Sequence, residues 1–237
     1  MKSNIFRAYD IRGICPDEVN AEVVFDISGA LARYLNAKTI VVGEDGRNSS
    51  PELREAVVNG VMDSGCNVLY IGRCTTPLFY FSVNKLNVDG GIMVTASHNP
   101  PQYNGLKIVS RGAVPIAKDS GLIDIKNLID KEIAASSSGK MELANTLDDY
   151  IDEVIKISGK FKNNLKIVID VGNGVASITL KPLLEKLGFE YTPLYFNIDG
   201  SFPNHLSDIS REENLRDLRE KVLQENADLG VAFDGDA

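Results

Sequence analysis

The sequence predicts an α/β fold of two tandem, topologically related domains with mixed, mainly parallel sheets. Two observations carry that prediction. Short apolar runs alternate with amphipathic stretches along all 237 residues, as they do where helices cover the strands of a sheet. The series also restarts: Lys166-Ile-Val-Ile-Asp170-Val-Gly172-Asn173-Gly174 echoes Thr39-Ile-Val-Val-Gly43-Glu-Asp45-Gly46. Between the copies lies Ala134-Ala-Ser-Ser-Ser-Gly139, small, polar and uncharged, the composition of a linker. The two units are set at residues 1–145 and 146–237.

In the first unit Val23, Val24, Ile27, Leu31, Tyr34 and Leu35 recur at helical spacing after Asn20. Thr39–Gly43 reads as a strand. Ser50 and Pro51 form the N-cap and first turn of the next helix, which Gly65 closes. Asn67–Ile71 is a strand, Thr76-Pro77 opens a helix, and Gly91–Thr95 is the next strand. Asn104-Gly105 is a hairpin-turn signal leading into strand Leu106–Val109. A helical stretch begins near Asp119, and a connecting helix covers Leu147–Ile157. The second unit repeats strand, helix and strand, its helix ending at Gly188 as the earlier one ends at Gly65. Helix 211–226 opens with a capping box, Ser210 to Glu213, and buries Leu215, Leu218, Val222 and Leu223. Asp228–Asp234 then mirrors Asp89–Thr95.

A hydrophobic content of 43% and a charged content of 24% are those of an ordinary soluble globular protein. No apolar stretch approaches the ~20 residues of a membrane span, and the N-terminus lacks the apolar core of a signal peptide. Cys15, Cys66 and Cys74 are odd in number and not at metal-ligand spacing, which suits a reduced cytoplasm; Cys66 reads as a small core residue. The net charge of −8 argues against nucleic acid as a partner and requires any site for an anionic substrate to be locally basic.

The most informative stretch is Gly90-Gly91-Ile-Met-Val-Thr95-Ala96-Ser97-His98-Asn99-Pro100. A buried strand empties into a turn that Asn99, Pro100 and Pro101 keep from becoming helix. Ser97 is thereby presented at the carboxyl end of a core strand, where open α/β sheets place their chemistry. Alone, such a Ser-His-Asn is also an idle polar turn. A hydrolase reading would make His98 the base for Ser97, yet neighbours in an extended segment point to opposite sides, and a triad needs an oriented acid. Lys107 alternates with Leu106 and Ile108 and so faces away from the buried side, toward the Ser97 turn; its removal is expected to cost charge and little stability. Asp234 and Asp236 flank Gly235 at a strand end, where alternate carboxylates suit a hard cation such as Mg²⁺, though Asp-Gly is equally ordinary turn chemistry. Arg12 and Arg47, each taken alone, read as surface charges. Gly172-Asn173-Gly174 lacks the third glycine of the dinucleotide fingerprint, position 177 being Ser.

Five motifs stand in order: Phe6-Arg-Ala-Tyr9-Asp-Ile-Arg12-Gly13, Val42-Gly43-Glu-Asp45-Gly46-Arg47-Asn-Ser49, Thr95-Ala96-Ser97-His98-Asn99-Pro100, Tyr103-Asn104-Gly105-Leu106-Lys107 and Asp234-Gly235-Asp236. Together they resemble the α-D-phosphohexomutase family, most closely its bacterial phosphomannomutase/phosphoglucomutase group. The resemblance covers the whole chain. It implies the first two of four domains, one bearing a phosphoserine loop and one a metal loop. Ser97 would be phosphorylated and donate its phosphoryl group. Mg²⁺ would be held by that phosphoserine and three aspartates, two of them Asp234 and Asp236 and the third two residues beyond. Phosphoserine with three carboxylates totals roughly −5, a charge that a divalent cation must offset. Tyr9, Arg12 and Lys107 would meet the substrate, with Arg12 and Lys107 stabilising charge and Lys107 assisting proton transfer. His98 would belong to the active-site loop.

The implied cytoplasmic reaction moves phosphate reversibly between C6 and C1 of mannose or glucose phosphate through a hexose bisphosphate. The sugar-reading and phosphate-binding loops of the other two domains would lie outside this chain, which by itself is expected to be inactive. Faces meant for a third domain would invite self-association, and the oligomeric state stays open. One departure is Asn204-His205-Leu206-Ser207-Asp208-Ile209, where the family often has His-Pro-Asp-Pro after the first histidine. Both prolines are replaced, which leaves the role of His205 open. The alternatives are a phosphoglucosamine mutase, or a non-catalytic binding or assembly module on the same fold.

Overall fold

The computed structural model describes residues 3–129, 137–159 and 165–237. The chain begins with β1 (Ile11–Ile14), α1 (Ala21–Tyr34), β2 (Thr39–Glu44), α2 (Ser50–Asp63), β3 (Asn67–Arg73), α3 (Thr76–Lys85), β4 (Gly90–Val94) and β5 (Tyr103–Ser110). The short β6 (Val114–Pro115), α4 (Leu122–Leu128), β7 (Met141–Leu143) and α5 (Leu147–Ser158) come next. The remainder is β8 (Ile167–Asp170), α6 (Ser177–Leu187), β9 (Tyr191–Leu194), α7 (Arg216–Glu225) and β10 (Leu229–Ala232).

The strands form two sheets. In the larger, the order is β1-β5-β4-β2-β3-β7, with β6 on β5. Strands β4, β2, β3 and β7 run parallel while β1, β5 and β6 pair antiparallel, so this sheet is mixed. The smaller sheet, β10-β8-β9, is wholly parallel. Its order repeats the β4-β2-β3 core of the larger sheet strand for strand, so the predicted pair of related α/β units is present.

Burial makes β4 a firm platform for the loop at its carboxyl end. Ile40, Val42, Ile92 and Val94 pack on one face with Val24, Ile27 and Leu31 of α1 and Leu53 and Val57 of α2. Val41 and Met93 pack on the other face with Leu78 and Phe79 of α3. Each such side chain contributes about 1.5–3 kcal/mol on burial. Helix α1 starts where the Asn20 side chain accepts the Val23 N–H at 3.0 Å, and Tyr34 at its far end is exposed. Cys66 is a buried core thiol, which burial pushes up to about 12.

Several local expectations are corrected. Asn104-Gly105 is not a turn: both residues lie inside β5, paired with Gly13 and Arg12 of β1. The reversal is made earlier, with Ser97 in the left-handed region at φ 51° and the Tyr103 N–H donating to the Pro100 carbonyl at 3.0 Å. A Cβ on Gly105 would collide with the Ile11 carbonyl, so this glycine permits close strand approach. Helix α2 is preceded by Ser49, and the Ser50 hydroxyl donates instead to Asp45 Oδ1 at 2.6 Å. The Ser210–Glu213 box does not form, because the Ser210 hydroxyl donates to Asp208 Oδ1. A 3₁₀ turn, Glu212–Leu215, precedes α7, and Leu223 is 76% exposed. Residues 134–136 of the expected linker lie outside the described residues. At its end the Gly139 N–H donates to the Met62 carbonyl, after which β7 extends the larger sheet.

Candidate active site

The carboxyl ends of β4 and β10 face one another across the two units. The hydroxyl of Ser97, just past β4, donates to Asp234 Oδ2 of the segment after β10 at 2.6 Å. Asp236 Oδ2 accepts from Lys107 Nζ at 2.6 Å, from the Thr76 hydroxyl at 2.7 Å and from the Thr95 hydroxyl at 3.2 Å. The Thr76 N–H, in the first turn of α3, also donates to the Asp236 carbonyl. Thr95 in turn accepts the Ser97 N–H at 2.9 Å. A serine, two aspartates and a lysine, far apart in sequence, thus share one hydrogen-bonded cluster.

The two carboxylates differ in electrostatic character. Burial, and then the neighbouring charge of Asp236, push the Asp234 carboxyl above its ordinary range. Burial pushes Asp236 the same way, but the Lys107 ammonium and the donated hydrogen bonds outweigh it and hold the group below that range. Lys107 is desolvated too, yet Asp236 raises it above the usual lysine value. Asp236 is therefore the better compensated of the two carboxylates.

Tested as a cation site, the cluster offers hard oxygens: the Asp234 carboxylate, the Ser97 hydroxyl and the Asp236 carboxylate. That donor set fits Mg²⁺ as part of an oxygen shell. The buried Ser207 hydroxyl beside Gly235 is without a hydrogen-bond partner, a further oxygen facing the same segment. Among the described residues no group of three or more His, Cys, Asp or Glu is placed to hold a metal ion.

The remaining residues singled out from the sequence sit at varying distance from this cluster. Arg12 Nη1 donates to the Asn99 side chain at 2.6 Å and its Nε lies 3.7 Å from Asp10 Oδ2, so Arg12 flanks the Ser97 loop, part-buried. His98 is exposed, and the Ser97 hydroxyl is directed at Asp234 rather than toward it. Tyr9 stands 81% exposed near the entrance strand β1. Arg47 is not a surface charge: it is buried beneath the Ser97 loop. Sequence reasoning misses Thr76 and Thr95. Thr76 carries only a helix-start signal in sequence, and nothing local ties it to residue 236.

His205 belongs to the second unit's own framework. Its Nε2 lies 3.1 Å from Asp170 Oδ2 at the end of β8, and its ring meets Tyr195 edge-on. The hydrogen bond to Asp170 raises the imidazole above its ordinary 6.5, against a smaller opposing effect of burial. A group raised on folding stabilises fully below its unfolded pKa and loses that contribution as pH rises through the folded one. His205→Gln should therefore lower stability at pH 6 and much less at pH 8.5, by roughly 1 kcal/mol or less after solvent screening. Thermal melts of both proteins across that range check the sign.

Comparisons with known proteins bear on the family and the fold. Residues 3–135 match the family description "phosphoglucomutase/phosphomannomutase, alpha/beta/alpha domain I", and residues 148–237 match domain II of the same family. The chain is 42% identical over 239 residues to a phosphomannomutase/phosphoglucomutase of Pseudomonas aeruginosa PAO1, covering 100% of this chain and 51% of that protein. It is 39% identical over 245 residues to a phosphomannomutase of Escherichia coli K12, covering 99% and 54%. A solved phosphoglucomutase/phosphomannomutase family protein from Burkholderia thailandensis superposes with a TM-score of 0.91 at 37% identity, covering 100% and 53%. The chain spans about half the length of the curated relatives it matches. No described helix is long and apolar enough to cross a membrane.

Proposed function

The chain belongs to the phosphoglucomutase/phosphomannomutase family, and from that premise we propose that it supplies the phosphoryl-carrying half of a cytoplasmic hexose-phosphate mutase. The single observation behind this reading is the Ser97–Asp234 hydrogen bond of 2.6 Å beside the Lys107–Asp236 pair. It joins a nucleophile, an acidic cation-binding pair and a positive charge from two units. The first unit, 1–145, carries the phosphoserine loop and the second, 146–237, the metal loop.

In this reading phosphorylated Ser97 gives its phosphoryl group to the free hydroxyl at C1 or C6 of mannose or glucose phosphate. The Ser97 O–P bond breaks, a new O–P bond forms on the sugar oxygen, and the sugar hydroxyl proton passes to the Ser97 oxygen, restoring the serine hydroxyl. The hexose bisphosphate turns over and returns its other phosphoryl group to Ser97. Ser97, Asp234 and Asp236 would hold Mg²⁺, which when bound neutralises charge on the transferring group. Lys107 and Arg12 stabilise the equatorial oxygens, Lys107 assists proton transfer, and Tyr9 and His98 border the substrate. Phosphoryl transfer asks mainly for positioning and charge stabilisation, which these side chains supply.

Mass spectrometry of the purified chain tests the assignment: a phosphate localised to Ser97 is the expected result. Labelling of Ser97 by a fluorophosphonate would instead mark a serine hydrolase, and an unmodifiable Ser97 with no hexose-phosphate binding would mark a binding module. Because the donors present complete only part of an oxygen shell, residues 1–237 alone should bind Mg²⁺ weakly and show no steady turnover of glucose 1-phosphate. Calorimetric titration and a coupled assay check this; tight binding with turnover would mean these two units suffice.

A further inference from the structure

We propose that Arg47 is the positioning residue that holds the Ser97 loop in its working shape and ties that shape to the second unit. Its side chain is 1% exposed, and every guanidinium N–H has an acceptor. Nε donates to Asp45 Oδ2 at 3.1 Å. Nη1 donates to the carbonyls of Pro100 and Tyr103 at 2.8 and 2.9 Å, and Nη2 to those of Ser97 and Asn99 at 2.7 and 2.6 Å. Four of these acceptors are backbone oxygens of the one loop that presents Ser97. A guanidinium is a rigid planar fork, so it fixes those carbonyls relative to one another, and hydrogen bonds from a charged donor are the stronger kind.

The loop needs such a hold. Ser97 sits at φ 51°, a conformation that non-glycine residues keep only where the surroundings over-determine it. Arg47 is itself aimed from below by buried Asp45, whose Oδ1 accepts the Arg47 N–H at 3.0 Å and the Ser50 hydroxyl at 2.6 Å. From the other side it is capped by the second unit, the Phe202 ring lying 5.2 Å from the guanidinium carbon. The same stretch presses on the backbone beneath: a Cβ on Gly200 would lie 2.5 Å from the Asn48 nitrogen. A displacement of residues 198–202 therefore bears on Arg47 directly, and through it on the Ser97 carbonyl.

The inference rests on Ser97 as phosphoryl carrier only for what the loop is for; the order of the loop is measured without turnover. Hydrogen-exchange mass spectrometry on the 237-residue chain reads the amides of Ser97, Asn99 and Tyr103, which are bonded to Thr95 Oγ1 and to the carbonyls of Ala96 and Pro100. In Arg47→Met the peptide spanning 96–103 should exchange about tenfold faster or more, while β2 and β4 keep their protection. Leu53→Ala, a core cavity variant, is the control for general destabilisation. Arg47→Lys should recover melting temperature through its charge beside Asp45 but not loop protection, since an ammonium cannot span four carbonyls. Phe202→Leu should loosen the loop by a smaller factor. If exchange in the arginine variants merely follows global stability, as in Leu53→Ala, the positioning role is wrong; should Arg47→Met fail to fold, Arg47→Lys decides alone. Unchanged loop exchange in Phe202→Leu would overturn the tie to the second unit. A loop loosened as expected, with no phosphate ever found on Ser97, would support the role of Arg47 and count against the mutase reading.

Discussion

Ser97→Ala should abolish phosphoryl transfer while leaving the fold in place. On the proposed function the substitution removes the oxygen that would carry the transferring group, and loss of a covalent nucleophile costs roughly three orders of magnitude or more in turnover. The fold should tolerate it. The hydroxyl donates to Asp234 at 2.6 Å and also helps hold the Asp236 carboxyl down, and the φ of 51° is no more adverse for alanine than for serine. A stability change within about 1 kcal/mol is expected. Asp234 also loses a hydrogen bond that lowers its pKa, so its already raised carboxyl should move further up. The measurement is mutase turnover, with this chain carried in the full length its relatives have, together with a melting curve. Near-normal turnover in the presence of a hexose bisphosphate would remove Ser97 from the role of carrier.

What can be read from the sequence is what a single strand or helix encodes. The alternation of β2, α2 and β3 with their bounding glycines, and its repetition in β8, α6 and β9, is local pattern, and the structure reproduces it. The position of Ser97 at the end of β4 is equally legible, because proline and asparagine mark the exit from a strand wherever it lies. Signals that depend on a partner mislead. Asn104-Gly105 has the composition of a hairpin turn, but its glycine answers to the backbone of β1, and its asparagine donates to Ser49 and Ser50. Arg47 after Asp-Gly has the look of a solvated loop charge. Its burial comes from a loop fifty residues later and a phenylalanine of the other unit, neither of which leaves a mark near position 47. Thr76 escapes notice for the same reason.

Lys107 shows how far such a contact changes an expectation. Seen only as an alternating residue of β5, it should cost charge but little stability to replace. In the structure it is 25% exposed and its ammonium compensates Asp236, which is 3% exposed. Lys107→Met leaves that carboxylate buried without its cation, a loss of about 2–4 kcal/mol at neutral pH. The sign of the pH dependence distinguishes this from simple loss of packing. At present the Asp236 carboxyl is depressed on folding, so its contribution is present above the unfolded carboxylate value of 3.8 and lost as pH falls through the folded one. Without the ammonium, burial becomes the dominant influence and the folded pKa moves above the unfolded value. The variant is then penalised above that value and relieved as acid protonates Asp236. The gap in melting temperature between the two proteins should accordingly be widest at pH 7–8 and close toward pH 4. Asp236→Asn in the Lys107→Met background should restore much of the loss at neutral pH, since a neutral amide needs no counter-charge. On the proposed function, phosphoryl transfer should stay low in both variants, because the positive charge that would lie beside the transferring group is gone. A gap of equal size at every pH, with no recovery in the double variant, would make Lys107 a packing residue and take it out of the charged cluster around Ser97.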